Sequence, residues 1–461
     1  MVKNMEAMLS KIVKRIKPSK TEKEAEKKLI DKIFGKIKKI EGKHIEVMHC
    51  GSSARDTDIG GDKDLDIFVL FPKKMKRAEF EKEGLRIGRT VFKGKKWEEC
   101  YSEHPYVRGQ MDNFVIEIVP SYKVEDASAM QSAVDRSPLH QKYLLERLTE
   151  KQKDEIRLLR AFLKGIDCYG AKLKVNSMPG YAVELLILYY GSFMGCIKAA
   201  ANWKNGEIID IEKHYSDPSE AKKKFNHHLN LVDPTDKNRN VAAAVSYNQF
   251  ARFIAACRKF LEKPNERFFF PEKKKGWPIS KIKKMFKEKE ILILKIPYPK
   301  NAISDVVYGQ IKNLTKKMKT RLKLNDFIVK SSGEWTDEKS IIVNAFEFES
   351  LEIERVKKHL GPEIADAKNA AIFLKSHKKI ISGPIIENGR WVIEKERKFW
   401  NAKEFLKAEI KKIVVKDPLN KTIKKARVVE EKDILPIYKK DCEFASFITA
   451  FLKNREDFLD W

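Results

Sequence analysis

Cysteine is scarce and scattered in this chain. The six, Cys50, Cys100, Cys168, Cys196, Cys257 and Cys442, include no C-x-x-C pair. That spacing excludes the usual zinc-site and disulfide-framework patterns and points to a reducing interior. Long apolar runs are missing as well. The most apolar window, Ala182–Gly195, contains Glu184 and falls short of the ~20 residues a membrane-spanning helix needs. The opening stretch MVKNMEAMLSKIVKRIK is charged throughout, without the apolar core of a secretion signal. There is no internal repeat and no low-complexity tail. Acidic residues are in deficit: 66 Asp and Glu stand against 94 Lys and Arg, a formal net charge of +28. The expected location is the cytoplasm, with no membrane contact.

What is present is ordinary core material and a large excess of lysine. Apolar residues make up 42% of the 461-residue chain. That excludes wholesale disorder, and the length suggests about three domains. The positive excess has two readings, a polyanionic partner with nucleic acid first, or a Lys-rich composition that needs no ligand. Periodicity predicts one or two amphipathic helices over 1–40. Strands are predicted at Ile45–Met48, at Leu65–Phe71 ended by Pro72, and at Phe114–Val119 ended by Pro120. Long helices follow at Asp154–Lys164, Gly180–Ala201 and Asn240–Leu261. Residues 263–278 read as a linker, with Phe268, Phe269 and Phe270 as core at a junction. Beyond it, strands are predicted at Ile291–Ile296, Phe327–Lys330, Ser340–Phe348 and Trp391–Glu394, and helices at Ser304–Leu322 and Leu351–His359.

The chemistry is concentrated in Gly51-Ser52-Ser53-Ala54-Arg55 and in Gly60-Gly61-Asp62-Lys63-Asp64-Leu65-Asp66. Alternate residues of a strand share a face, so Asp64 and Asp66 project together. Two such carboxylates repel unless a cation lies between them. Mg²⁺ suits hard oxygen ligands, with substrate phosphates completing its shell. Glu117, mid-strand in FVIEIV, supplies a third acid that is costly there unless paired or metal-bound. Three carboxylates on adjacent strands would hold two metal ions, one activating a hydroxyl and the other clamping a triphosphate. Gly51 lets backbone N–H groups approach a phosphate, and Ser52 and Arg55 can bind its oxygens. A lone D-x-D commonly marks a solvated strand end, and a lone G-S a turn. The ordered set, with D-x-D twelve residues after Ser52 and an acid in a later apolar strand, points to catalysis.

That set resembles the nucleotidyltransferases of the DNA polymerase β superfamily. Its wording, GSSARDT then GDKDLDIFVLFP, is similar to the archaeal-type, class I CCA-adding enzymes, the tRNA nucleotidyltransferases. Further stretches agree: EHPYVRG at 103–109, VPSY at 119–122, RSPLH at 136–140 and IRLLRAFLKGIDCYGAKLK at 156–174. So do GYAVELLILYYGSF at 180–193, DPTDKNRNVAAAVS at 233–246, VYGQIKNLTKKM at 307–318 and GEWTDE at 333–338.

The resemblance implies an α+β multidomain protein. A nucleotidyltransferase head, a mixed sheet with helices, would occupy 1–148, and a helical neck recognising the nucleotide base would occupy 149–272. An α+β body at 273–324 and 409–461, with a tail inserted at 325–408, would grip tRNA. The implied activity is template-independent addition of C, C and A to the tRNA 3′ end, from CTP and ATP, with two Mg²⁺ ions. By position, Asp64, Asp66 and Glu117 are the implied catalytic metal ligands, Glu117 standing where the family usually has Asp. Ser52 and Arg55 match the triphosphate-binding pair. His140, Arg160 and Tyr169 match further nucleotide contacts, with Arg160 in place of the usual Lys, and Arg239 matches the base-reading region.

Local physics leaves alternatives open at four of these. Arg160 falls on the apolar stripe of Ile156, Leu159 and Leu163 and needs an anion there, either a nucleotide phosphate or an acid of the first domain. Tyr169, beside Gly170, stacks on a sugar or base or else fills core. His140 alone reads as a structural hydrogen bonder, and Arg239 as an ion-pair partner of Asp233 or Asp236. The rival functions are a poly(A) or uridylyl polymerase of the same superfamily and a tRNA-binding protein whose site has decayed through Glu117. The sequence leaves the oligomeric state open, a homodimer included.

Overall fold

The computed structural model describes residues 2–41, 45–101, 103–172, 174–272 and 275–461. It divides into two compact units, Met1–Glu272 with Asp457–Trp461, and Lys273–Glu456.

In the first unit the chain opens with helices α1 (Val2–Ile16) and α2 (Lys20–Glu41). Their apolar stripes serve different cores. Leu9, Ile12 and Ile16 pack with the later helices, whereas Leu29, Ile33 and Ile37 cover the sheet. The stripe of α1 is thus buried in the helical core, apart from the sheet that follows it in sequence. The sheet is built from β1 (Glu46–Cys50), a short helix α3 (Gly51–Ala54), β2 (Asp64–Phe71), α4 (Arg77–Val91), β3 (Trp97–Tyr101), β4 (Pro105–Met111) and β5 (Phe114–Tyr122). Its order is β1-β2-β5-β4-β3, with β2 and β5 the one parallel pair. Leu65, Ile67, Val69 and Phe71 face the core under α2 and α4, so the two-residue period turns Asp64 and Asp66 to the opposite face. β5 does not stop at Pro120. Its pairing with β4 ends at Ile118, and pairing with β2 carries it through Pro120 to Tyr122, where a missing N–H on the β4 side costs little.

The helical part holds α5 (Arg136–Arg147), α6 (Glu150–Gly165), α7 (Gly180–Tyr190), α8 (Phe193–Ala200), β6 (Glu207–Ile209), α9 (Pro218–Phe225), β7 (Leu229–Asp233), β8 (Asp236–Asn240) and α10 (Tyr247–Glu262). The single helix expected over 180–201 is two. Gly191 takes φ +78 and ends α7, and the Ser192 side chain caps α8 by accepting from the Gly195 N–H. Likewise the helix expected from Asn240 starts at Tyr247, capped by Ser246, because 236–240 pairs as a strand. Phe268 and Phe269 are core, packed with Phe162 and Phe260, and Trp461 stands edge-on to Phe268.

The second unit comprises α11 (Ile279–Glu288), β9 (Glu290–Pro297), α12 (Ser304–Leu324), β10 (Val329–Thr336), β11 (Ile341–Phe348), β12 (Val356–Glu363), α13 (Ala367–Ser376), β13 (Ser382–Glu387), β14 (Arg390–Glu396), α14 (Ala402–Ile410), α15 (Asn420–Ile423), β15 (Arg427–Val429), α16 (Glu431–Lys440) and α17 (Cys442–Lys453). Two sheets form, ordered β10-β11-β9-β15 and β12-β14-β13. The stretch 325–408 contributes strands to both sheets. β10 and β11 join the larger sheet by pairing on β9, and the separate sheet runs only from 356 to 396. The helix expected at Leu351–His359 is also absent, since Val356 onward pairs with β14 and pairing overrides local propensity. Among the described residues, no single helix is long and apolar enough to cross a membrane.

Candidate active site

The strand register aligns one row of side chains across the open face of the first sheet. Cys50 pairs with Asp66, Asp66 with Glu117, Glu117 with Arg108, and Arg108 with Glu98. Asp64 lies two positions along and is exposed, while Asp66 and Glu117 are half-buried. Burial pushes the Asp66 carboxyl up to about 7, the Glu117 and Asp64 charges adding to it and Arg55 opposing. Burial raises Glu117 too, against Arg108, whose Nε stands 3.7 Å from its Oε1. Acids that repel in this way favour a cation between them, and an all-carboxylate donor set fits Mg²⁺. As the side chains stand, no three His, Cys, Asp or Glu groups among the described residues converge into a metal cage. Glu117 leans toward Arg108, and Asp66 lies against the backbone of Gly51. A Cβ on residue 51 would sit 2.6 Å from Asp66 Oδ2, and its φ is +85, so both space and conformation require glycine.

Arg55, just past α3, does not stand alone. Its Nε and Nη2 donate to Glu184 Oε1 and Oε2 at 3.1 and 2.7 Å, and its Nη1 donates to Gln141 Oε1 at 2.5 Å. Thr57 Oγ1 donates to Glu184 Oε1 at 2.5 Å, and Arg160 Nη2 lies 3.8 Å from the same oxygen. Glu184, on α7, is fully buried. Burial pushes its carboxyl up, but the Arg55 and Arg160 guanidiniums and the Thr57 hydroxyl outweigh that and hold it below the usual range. The acid facing Arg160 thus comes from the helical part, not from the first domain as one alternative had it. Arg160 is 3% exposed, and its Nε has no hydrogen-bond partner among the described residues. The Tyr169 ring lies 5.6 Å from the Arg160 guanidinium carbon.

A cleft of about 320 Å³ opens beside these groups, lined by Gly51, Arg55, Asp66, Glu117, His140 and Tyr181 among others. His140 stacks on Tyr181 at 3.7 Å between ring centres, and its Nε2 lies 2.8 Å from Asp233 Oδ2. Burial holds His140 below the usual histidine range, with Asp233 opposing. The same Asp233 oxygen accepts from Arg239 Nη1 at 2.7 Å, so Arg239 makes the local pairing that its turn allows. The cleft therefore brings together Arg55, Asp66, Glu117 and His140. Asp64, Ser52, Arg160, Tyr169 and Arg239 are not among its lining residues. Ser52 sits half-buried in α3. Glu184, Gln141 and Tyr181 were not foreseen. The sequence held one signal, a solitary charge in the apolar run GYAVELLILYY.

Comparison with known proteins follows the same lines. Residues 154–270 match the family described as tRNA nucleotidyltransferase, second domain, and residues 288–431 match CCA-adding enzyme, C-terminal domain. The CCA-adding enzyme of Methanocaldococcus jannaschii is 38% identical over 82% of this chain and 86% of its own length. That of Methanosarcina mazei is 32% identical over 96% of this chain and 97% of its own, and that of Saccharolobus shibatae is 36% identical over 87% and 91%. Among solved structures, the Cid1 poly(U) polymerase with Mg and 3′-dATP aligns with 58% of this chain and 99% of that one, at 15% identity and a TM-score of 0.47. So partial a likeness carries no weight. Identity at this level, sustained over most of the length of relatives that share one name, makes the chain a member of the CCA-adding enzyme family, the archaeal tRNA nucleotidyltransferases.

Proposed function

We propose that the protein adds C, C and A to the 3′ end of tRNA, using CTP and ATP without a nucleic-acid template. The observation that carries this is the juxtaposition, in a chain of this family, of the Asp66–Glu117 row with a buried cluster of two guanidiniums and one carboxylate. Asp64, Asp66 and Glu117 would hold Mg²⁺, two ions on our reading, supplying charge neutralisation at the triphosphate and a more acidic terminal hydroxyl. Arg55, Arg160 and the Ser52 hydroxyl take the phosphates. His140, its basicity lowered by burial, stacks on Tyr181 and offers its ring edge to the nucleotide, while Tyr169 supports Arg160. Arg239, tied to His140 through Asp233, contacts the base. We assign sheet and helical parts of the first unit to head and neck, and the second unit to a body carrying an inserted tail. Its lysines hold tRNA by backbone shape and charge.

The test is incorporation of labelled CTP or ATP into tRNAs ending before CCA, after C and after CC, with Mg²⁺ present. Two cytidines and then one adenosine, with no further growth, are expected. Unlimited tailing, or tailing of any RNA, would replace this reading with a polymerase. Tight tRNA binding without incorporation would mark a decayed site at Glu117.

A further inference from the structure

The Arg55–Glu184–Arg160 cluster does not balance its own charge. Two guanidiniums face one carboxylate, Glu184 is 0% exposed, and Arg55 and Arg160 are 7% and 3% exposed. A buried surplus of positive charge is costly unless an anion joins it. A guanidinium has five N–H groups in a fixed plane. Arg55 commits three of them, two to Glu184 along one edge and one to Gln141. The groups left over are held at a fixed angle, and Arg55 lines the cleft beside Asp66. Arg160 keeps an unpartnered buried Nε among the described residues.

Building on the nucleotidyl-transfer reading, we infer that Glu184 is a positioning residue for the triphosphate, orienting Arg55 and Arg160 so that their remaining N–H groups face one polyphosphate anion. Glu184 touches no reacting atom. It acts through the two arginines, and through Thr57 it also ties the loop after α3 to α7. One planar fork hydrogen-bonded to a carboxylate, with a second guanidinium ion-paired to it at 3.8 Å, suits phosphate oxygens, whatever base the nucleotide carries. The inference therefore assigns Glu184 to phosphate grip common to CTP and ATP, and not to base choice.

The test uses the full chain, a tRNA ending after CC, ATP as substrate and inorganic tripolyphosphate as competitor. Glu184→Gln keeps the volume, removes the charge and turns an amide N–H toward guanidinium N–H groups. The tripolyphosphate inhibition constant and the KM for ATP and for CTP should rise together, about tenfold or more, with tRNA affinity unchanged. Arg55→Lys should behave alike, and the double variant should be no worse than the worse single by more than about threefold, because both act through one grip. Losses that multiply in the double variant would overturn the inference. So would tripolyphosphate binding that tightens on Glu184→Gln, with surplus charge outweighing alignment, or inhibition that stays constant while the protein merely melts lower. Should Glu184→Gln fail to fold, Thr57→Val removes one hydrogen bond to the same carboxylate at constant shape. A smaller parallel rise is then expected, and no rise overturns the idea. If the unaltered protein incorporates nothing yet loses tripolyphosphate affinity on Glu184→Gln, the transfer reading fails and the positioning role stands.

Discussion

Asp66 and Glu117 meet because a parallel register sets them side by side on β2 and β5, and Asp64 shares their face two residues earlier. Replacing Asp64 by Ala or Asp66 by Asn should lower the incorporation rate by about 10²–10³-fold or more, while leaving tRNA affinity intact. A single-turnover assay beside a tRNA-binding titration reads both. Glu117 reaches Arg108 with its longer side chain, yet offers the same oxygen donors as aspartate. Glu117→Asp is therefore expected to keep the rate within about tenfold, and Glu117→Gln to lose far more, in the same assay. The D-x-D acids were legible because a strand's period of two is written locally. The partnership of Arg55 with Glu184 was not, since it joins residues 129 positions apart, and no spacing rule connects a loop arginine to a helix acid.

At the scale of elements, the loop between α3 and β2 is held from outside. Arg157 of α6, fully buried, donates to the Asp58 and Asp56 carbonyls and to the Asp56 and Asp154 carboxylates. Arg157→Leu leaves those acceptors unmet and should lower the unfolding free energy of the first unit by about 3–5 kcal/mol, measured by urea denaturation. His49 of β1 gives the same region an acid limit. Its Nε2 lies 2.8 Å from Ser53 Oγ, and burial, with Lys23 and Arg55 nearby, pushes it from 6.5 down to about 4. Below pH 6.5 the unfolded chain takes up a proton that the folded chain refuses, so stability falls as pH drops from 6.5 toward 4. Melting curves over that range should show the loss, and His49→Gln should flatten it. Strands β2 and β5 were readable as short, nearly continuous apolar runs each followed by a proline, whereas β3, β4 and β12 were not. Their residues are polar or exposed on one side, and only pairing with a neighbour makes them strands.

For the whole molecule, charge was the most legible property and the least specific. A formal +28 makes association with a polyanion strongly dependent on salt. Raising salt from about 50 to about 200 mM should increase the KM for tRNA by at least about tenfold and that for CTP much less. Equal sensitivity of the two would mean that the lysine excess is not used on tRNA. Length suggested about three domains, the chain divides into two compact units, and nothing in the length shows that the first unit is closed by the last residues. The aromatic plug around Phe268 is completed by Phe458 and Trp461, which follow the entire second unit in sequence. A ribosome therefore releases the last side chains of that core only after some two hundred further residues have been made. Until then a nascent chain must keep Phe268 shielded by other means, which makes early termination in the second unit a route to an unfinished first unit as well as a truncated second.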